Sequence, residues 1–194
     1  RGLGGQHHLI RCDAVVASPP TLVLELAGQG NLRDLVEAEG PLAPRVAVMV
    51  LLQAAEAVTW LHHNQVIHRD VKPSNLVAVD DGSWRLVDLG VAAHGSPPRG
   101  MPEGWVEEEV GTPGFAAPEL LADPSAAGAA IDVFGLGATL AFALSGRTPD
   151  EPSLGERRIP ARLLDVVQRS TAPDLAQRYP TALEMRAALA RALA

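Results

Sequence analysis

Residues 68–75 read His-Arg-Asp-Val-Lys-Pro-Ser-Asn, and an apolar hairpin pattern separates them from Asp88-Leu89-Gly90. The run gathers groups of complementary chemistry. Asp70 offers a carboxylate that can orient a hydroxyl and accept its proton. Lys72 offers an ammonium that can offset negative charge on phosphate oxygens. Asn75 and Asp88 offer oxygen ligands of the kind that hard Mg²⁺ prefers. Lys72 is the one lysine among 16 Lys and Arg residues, so a background that favours arginine keeps a compact point charge here. Taken singly, each of these is an ordinary turn or surface residue. Jointly, they are the groups that phosphoryl transfer to a hydroxyl calls for.

The string resembles the catalytic loop and metal-binding turn of the protein kinases in order, spacing and residue type. The resemblance implies that Asp70 is the base, that Lys72 reaches the transferring phosphate, and that Asn75 and Asp88 hold two metal ions beside ATP. The metal is expected to be Mg²⁺, with Mn²⁺ as an alternative. Leu89 stands where the family usually has Phe, which keeps an apolar plug with less packing area. Gly-Thr-Pro-Gly-Phe-Ala-Ala-Pro-Glu at 111–119 closes the activation segment as in the Ser/Thr kinases. There Thr112 matches the residue that bonds to the catalytic Asp and Lys, which with Lys72 points to Ser/Thr rather than Tyr substrates. His68 and Arg69 open the loop, and Asp132, near the start of an apolar pattern at 131–144, is expected to accept its backbone hydrogen bonds. Arg178 matches the family's partner for Glu119, a buried structural ion pair.

The elements that must position these groups follow from periodicity. Residues 9–16 and 21–26 are β-prone and flank Ser18-Pro19-Pro20, so they read as two strands joined by a turn. They resemble the last two strands of a kinase N-lobe, with Leu24 behind the adenine, the backbone of Glu25 and Ala27 as the hinge along its edge, and Val77 as its floor. Asn31, a good N-cap, opens a short helix through Glu39; the resemblance also implies a contact to the ribose, and the two roles are compatible. A long core helix starts at Pro41-Leu-Ala-Pro44 and ends near His63, with Val46, Val50, Ala54, Ala57, Val58 and Leu61 at helical spacing. His62 and His63 are adjacent, point to different faces and suit a helix C-terminus better than a metal. Runs at 76–79 and 84–87 flank Asp80-Asp81-Gly82-Ser83, a hairpin. Two further helices are read at 161–170 and 181–193, and the polar, proline-bearing stretch 147–160 implies that the docking helix found there in most kinases is reduced.

The activation segment holds a departure. Between Gly90 and Gly111 there is no Thr or Tyr and one Ser, Ser96, and Glu108, flanked by Glu107 and Glu109, stands where regulated kinases carry a phosphothreonine. The expectation is that Glu108 pairs with Arg69 and orders the loop without a phosphate, or else that the run is simply solvated.

Composition sets the bounds. The 194 residues, 47% hydrophobic and 4% aromatic, fit one compact domain with an aliphatic core. A net charge of −7 and a pI near 5.3 argue against a nucleic-acid surface. One cysteine, Cys12, permits no internal disulfide. No signal peptide is visible, and the apolar runs at 46–52 and 133–144 are short for a bilayer, so a soluble, cytoplasmic protein without a membrane segment is expected.

The fold class expected is mainly α (α+β), a kinase-like C-terminal lobe with a remnant of the N-lobe sheet. Residues 1–30 supply the last N-lobe strands and hinge; 31–194 supply the C-lobe, with the catalytic loop at 66–77 and the activation segment at 88–119. The Gly-rich loop, strand lysine and helix glutamate of the family have no counterpart here, and the first residue is not Met. The expectation is a fragment that binds ATP poorly by itself, from a Ser/Thr protein kinase of the bacterial eukaryote-like kind with a protein substrate. The rival from another class is a pseudokinase-like binding or scaffolding module.

Overall fold

The computed structural model describes residues 8–89, 92–94, 111–126, 128–151 and 159–193. Six α-helices, two 3-10 turns and three two-stranded sheets make up the described regular structure, so the architecture is α+β and mainly α. Strand β1 (Cys12–Ala17) pairs antiparallel with β2 (Pro20–Leu24). All six β1 residues are exposed, so this ribbon lies outside the core.

Helix α1 (Leu32–Glu39) begins where sequence chemistry predicts: the Asn31 Oδ1 accepts the N–H of Asp34 at 3.0 Å. Helix α2 (Pro44–His63) has Pro at its first turn, where no N–H is needed, and buries nine residues from Ala47 to Leu61. Eighteen of its residues would by length and composition also pass for a membrane span, with mean hydropathy 1.3; half of that window is buried inside the fold. Strands β3 (Val66–Ile67), β4 (Leu76–Ala78), β5 (Trp84–Leu86) and β6 (Ala93–His94) follow, β3 pairing with β6 and β4 with β5. A 3-10 turn, Pro73–Asn75, leads into β4.

Helix α3 (Pro118–Ala122) precedes α4 (Ala129–Ser145), which is buried almost throughout and stops at Gly146, whose left-handed φ of 73° lets its N–H reach the Phe142 carbonyl at 2.7 Å. Helix α5 (Ala161–Ser170) and helix α6 (Ala182–Ala192) close the chain, α6 capped by Thr181. The core lies where α2 packs on α4 and α6, and α4 on α5. Phe115 and Phe142 meet edge to face, ring centroids 5.9 Å apart, joining the activation-segment end to that core.

Helix and hairpin expectations hold to within two residues, except that α2 begins at Pro44 rather than at Pro41; the first strand does not hold. Residues 9–11 do not extend β1. Leu9 instead bridges in parallel to Leu86, with Leu86 N–H donating to the His8 carbonyl at 2.8 Å and Ile10 N–H to Leu86 at 3.0 Å. Leu9 is buried there while β1 is exposed, so the apolar residue follows the core rather than the ribbon. The second strand likewise ends at Leu24 rather than at Leu26. The stretch 152–158, half of the docking region expected to be reduced, lies outside the described residues.

Candidate active site

Asp132 organises the site from below. It sits in the first turn of α4, almost fully buried, and its Oδ2 accepts the N–H of His68 at 2.9 Å while its Oδ1 accepts that of Arg69 at 2.8 Å. Those two bonds hold Arg69 at a φ of 66°, a left-handed conformation costly for a residue with a Cβ. Asp132 takes a third donor that the sequence does not reveal. His62 Nε2 lies 2.8 Å from Oδ2, and since an ionised carboxylate only accepts, that nitrogen carries the proton. The adjacent histidine pair is thus divided, one ring bracing the carboxylate from the end of α2.

His68 is fully buried and uses both ring nitrogens. Nδ1 accepts the N–H of Asp70 at 3.3 Å and Nε2 donates to the Val87 carbonyl at 3.1 Å, which assigns the neutral Nε2–H tautomer. One imidazole therefore joins the loop that carries Asp70 to the residue before Asp88. Val87 N–H adds a 2.9 Å bond to the Asn75 carbonyl. Asp88 is exposed at a φ of 67°.

The reactive groups converge as expected. Asp70 Oδ1 accepts the Thr112 hydroxyl at 2.9 Å, and Thr112 Oγ1 accepts Lys72 Nζ at 2.8 Å. Lys72 Nζ also lies 2.6 Å from Asp70 Oδ2, closing a triangle of carboxylate, ammonium and hydroxyl. Asn75 Nδ2 donates to both the carbonyl and the Oδ2 of Asp70, at 2.9 and 3.1 Å. With its amide nitrogen committed, the Asn75 Oδ1 is the end left to coordinate a cation. Among the described residues no three His, Cys, Asp or Glu side chains converge on a metal position. Asn75 and Asp88 fit a hard divalent ion only if other oxygens complete its shell, which suits a metal shared with a polyphosphate.

Gly135 of α4 fixes how closely the loop approaches that helix. A Cβ there would stand 2.7 Å from the Val71 carbonyl oxygen and 2.9 Å from its Cβ. Gly135→Ala is therefore expected to push Val71, and with it Asp70, off α4, destabilising the fold by about 1–3 kcal/mol. Thermal unfolding beside a kcat measurement would read both effects.

The hinge candidates come from β2, the segment that follows it and β4. Leu24 ends β2 opposite Cys12 and is exposed. Glu25 and Ala27 are half-buried, and Val77 pairs with Arg85 across the β4–β5 ladder while bridging to Asn31. The Asn31 carboxamide is engaged at both ends by Asp34, accepting from its N–H and donating to its Oδ2 at 2.8 Å, which is capping geometry. Arg69 Nη1 donates to the Pro124 carbonyl at 3.0 Å. Glu108, its expected partner, lies outside the described residues.

The family model of the protein kinase domain matches residues 6–184. The chain belongs to the protein kinase family. Members of that family generally use ATP and Mg²⁺. Among curated relatives, a probable serine/threonine-protein kinase of Dictyostelium discoideum is 33% identical over 185 residues, 84% of this chain and 35% of that protein. The serine/threonine-protein kinase PknB of Mycobacterium tuberculosis is 32% identical over 190 residues, 89% of this chain and 30% of PknB. The CBL-interacting serine/threonine-protein kinase 9 of Arabidopsis thaliana is 37% identical over 134 residues, 69% of this chain and 30% of the plant protein. The chain thus spans about a third of the length of the first two.

Within this kinase framework the ion pair of Glu119 and Arg178 is as expected in partners and differs in burial. Arg178 Nη1 and Nη2 meet Glu119 Oε1 and Oε2 at 2.6 and 2.9 Å, with the arginine side chain fully buried and the glutamate about a quarter exposed.

Proposed function

We propose that this chain is the catalytic part of a Ser/Thr protein kinase that moves the γ-phosphoryl group of ATP to a protein Ser or Thr hydroxyl with Mg²⁺ or Mn²⁺. The observation that carries the reading is the closed triangle of Asp70, Lys72 and Thr112, with Asn75 locked to the same carboxylate. A binding module has no physical need for a carboxylate held against an ammonium by a hydroxyl.

When bound, MgATP supplies the phosphoryl group and the divalent charge that offsets its oxygens. The residues do the rest. Asp70 is positioned by Asn75 and Thr112 to accept a hydroxyl proton. Lys72, beside it, stabilises negative charge as the phosphoryl group transfers. Asn75 Oδ1 and Asp88 supply hard oxygen ligands, and His68 keeps them in register by tying the two segments together. Thr112 joins the activation segment to Asp70 and Lys72, so the geometry of that segment is coupled to the catalytic pair. Leu24, Glu25, Ala27 and Val77 would frame the adenine. The division at about residue 30 between hinge and C-lobe belongs to the same reading.

Asp88→Asn tests it. Phosphate transfer by the full-length protein at fixed Mg²⁺ is expected to fall by about two orders of magnitude or more, while binding of any protein partner survives. Full activity in the variant would contradict the assignment.

A further inference from the structure

Around the hinge, Glu25 uses its side chain in a way its sequence position does not announce. Its Oε1 accepts the backbone N–H of Arg11 at 3.0 Å and lies 3.4 Å from Arg85 Nε; its Oε2 lies 3.8 Å from Arg11 Nη1. The Glu25 N–H in turn donates to the Arg11 carbonyl at 2.9 Å. The side chains of Glu25 and Arg85 are 16% and 13% exposed, whereas Arg11 and Asp13, which also pair, are 59% and 42% exposed. Charges that far from water are screened much less by salt. Arg85 is itself braced, its Nη2 3.2 Å from Asp81 Oδ2 and its Nη1 donating to the Ser83 hydroxyl.

Arg85 stands opposite Val77 in the β4–β5 ladder, so the two side chains share a face. A second attachment lies farther along. Ala78 N–H donates to the Gly30 carbonyl at 2.9 Å, and Gln29 Nε2 donates to Asp80 Oδ1 at 3.0 Å. Residues 26–28 are therefore suspended between two fastenings to one hairpin, the hairpin that leads to Asp88.

We propose that Arg85 is a positioning residue for the nucleotide: its hold on the Glu25 carboxylate fixes the hinge backbone over Val77, in register with the strand that delivers Asp88. This rests on the kinase reading, which places the backbone of Glu25 and Ala27 along the adenine edge. Interactions with adenine are made alike in ground and transition states, so a looser hinge raises the KM for ATP and leaves kcat nearly unchanged.

The test compares full-length wild type with Arg85→Met, which keeps an apolar stem, and Arg85→Lys, which restores the charge. In Arg85→Met the KM and the directly measured Kd for MgATP are expected to rise roughly three- to tenfold with kcat within about twofold of wild type. Amide hydrogen exchange at residues 25–28 without nucleotide is expected to quicken. Arg85→Lys is expected to recover most of both effects. Unchanged affinity and exchange in Arg85→Met would overturn the proposal, as would a fall in kcat at constant KM, or a lysine variant no better than methionine. A wild type that neither binds MgATP nor transfers phosphate would instead overturn the kinase reading, and this proposal with it; a wild type that does both while Arg85→Met is silent would remove the clamp alone.

Discussion

Asp70→Asn is expected to lower kcat by about 10²- to 10⁴-fold while the fold and the affinity for MgATP survive. The carboxamide is nearly isosteric and keeps one acceptor oxygen, which can serve the Thr112 hydroxyl at the place of Oδ1 or Asn75 Nδ2 at the place of Oδ2, while the Asn75 bond to the backbone carbonyl of residue 70 is unaffected. It lacks both the basicity to take a hydroxyl proton and the charge that holds Lys72 Nζ at 2.6 Å. Steady-state kinetics with direct nucleotide titration and thermal unfolding would separate these effects. A kcat loss of less than about tenfold would mean that Asp70 neither orients nor deprotonates the acceptor. A loss accompanied by unfolding would mean that its bonds to Asn75 and Thr112 are chiefly structural.

Breaking the Glu119–Arg178 pair is expected to have the largest effect on stability. Arg178 places all five of its N–H groups: two on Glu119, and the others on the carbonyls of Ala172 at 2.5 Å, Ala130 at 3.2 Å and Pro173 at 3.4 Å. Its guanidinium carbon also lies 5.0 Å from the centroid of the Phe134 ring. One side chain thus ties α3, the start of α4 and the loop after α5. Glu119→Ala strands a fully buried cation, and a cost of about 3–5 kcal/mol is expected, read as a lower denaturant midpoint at unchanged slope. Arg178→Lys is not expected to rescue, because three donors on a compact ammonium cannot reproduce a planar fork that meets five acceptors. A Glu119→Ala variant within about 1 kcal/mol of wild type would show that the carbonyl bonds alone carry the guanidinium.

The site was legible in the sequence where chemistry is dense and local. Asp70, Lys72 and Asn75 fall within a few residues on one loop, so their types and spacing already imply their meeting. Thr112 and Asp132 were legible only through resemblance, since nothing local says that a threonine and a buried aspartate from distant segments close on one loop. Helices α1 and α2 announced themselves by Asn31, by Pro44 and by apolar residues at helical spacing, which are local signals.

What stayed hidden depends on contacts distant in sequence or too short to carry a pattern. His62 braces Asp132 across 70 residues, and adjacency to His63 concealed that only one ring faces the core. Strands β3 and β6 are two residues each, below any readable alternation. Helix α3 spans only five residues, started by Pro118 within the last two residues of a motif that reads as loop. Leu9 belongs beside Leu86 because burial outweighs local strand propensity. The clamp of Arg85 on Glu25 joins a strand to a hinge, a long-range ion pair that composition cannot show.

The measurement closest to the central claim is phosphoamino-acid analysis of the full-length protein and a mixed protein substrate after incubation with MgATP. The account predicts phosphoserine and phosphothreonine, no phosphotyrosine, and loss of the signal in Asp70→Asn. Phosphotyrosine as the main product, or incorporation that persists in Asp70→Asn, would contradict it.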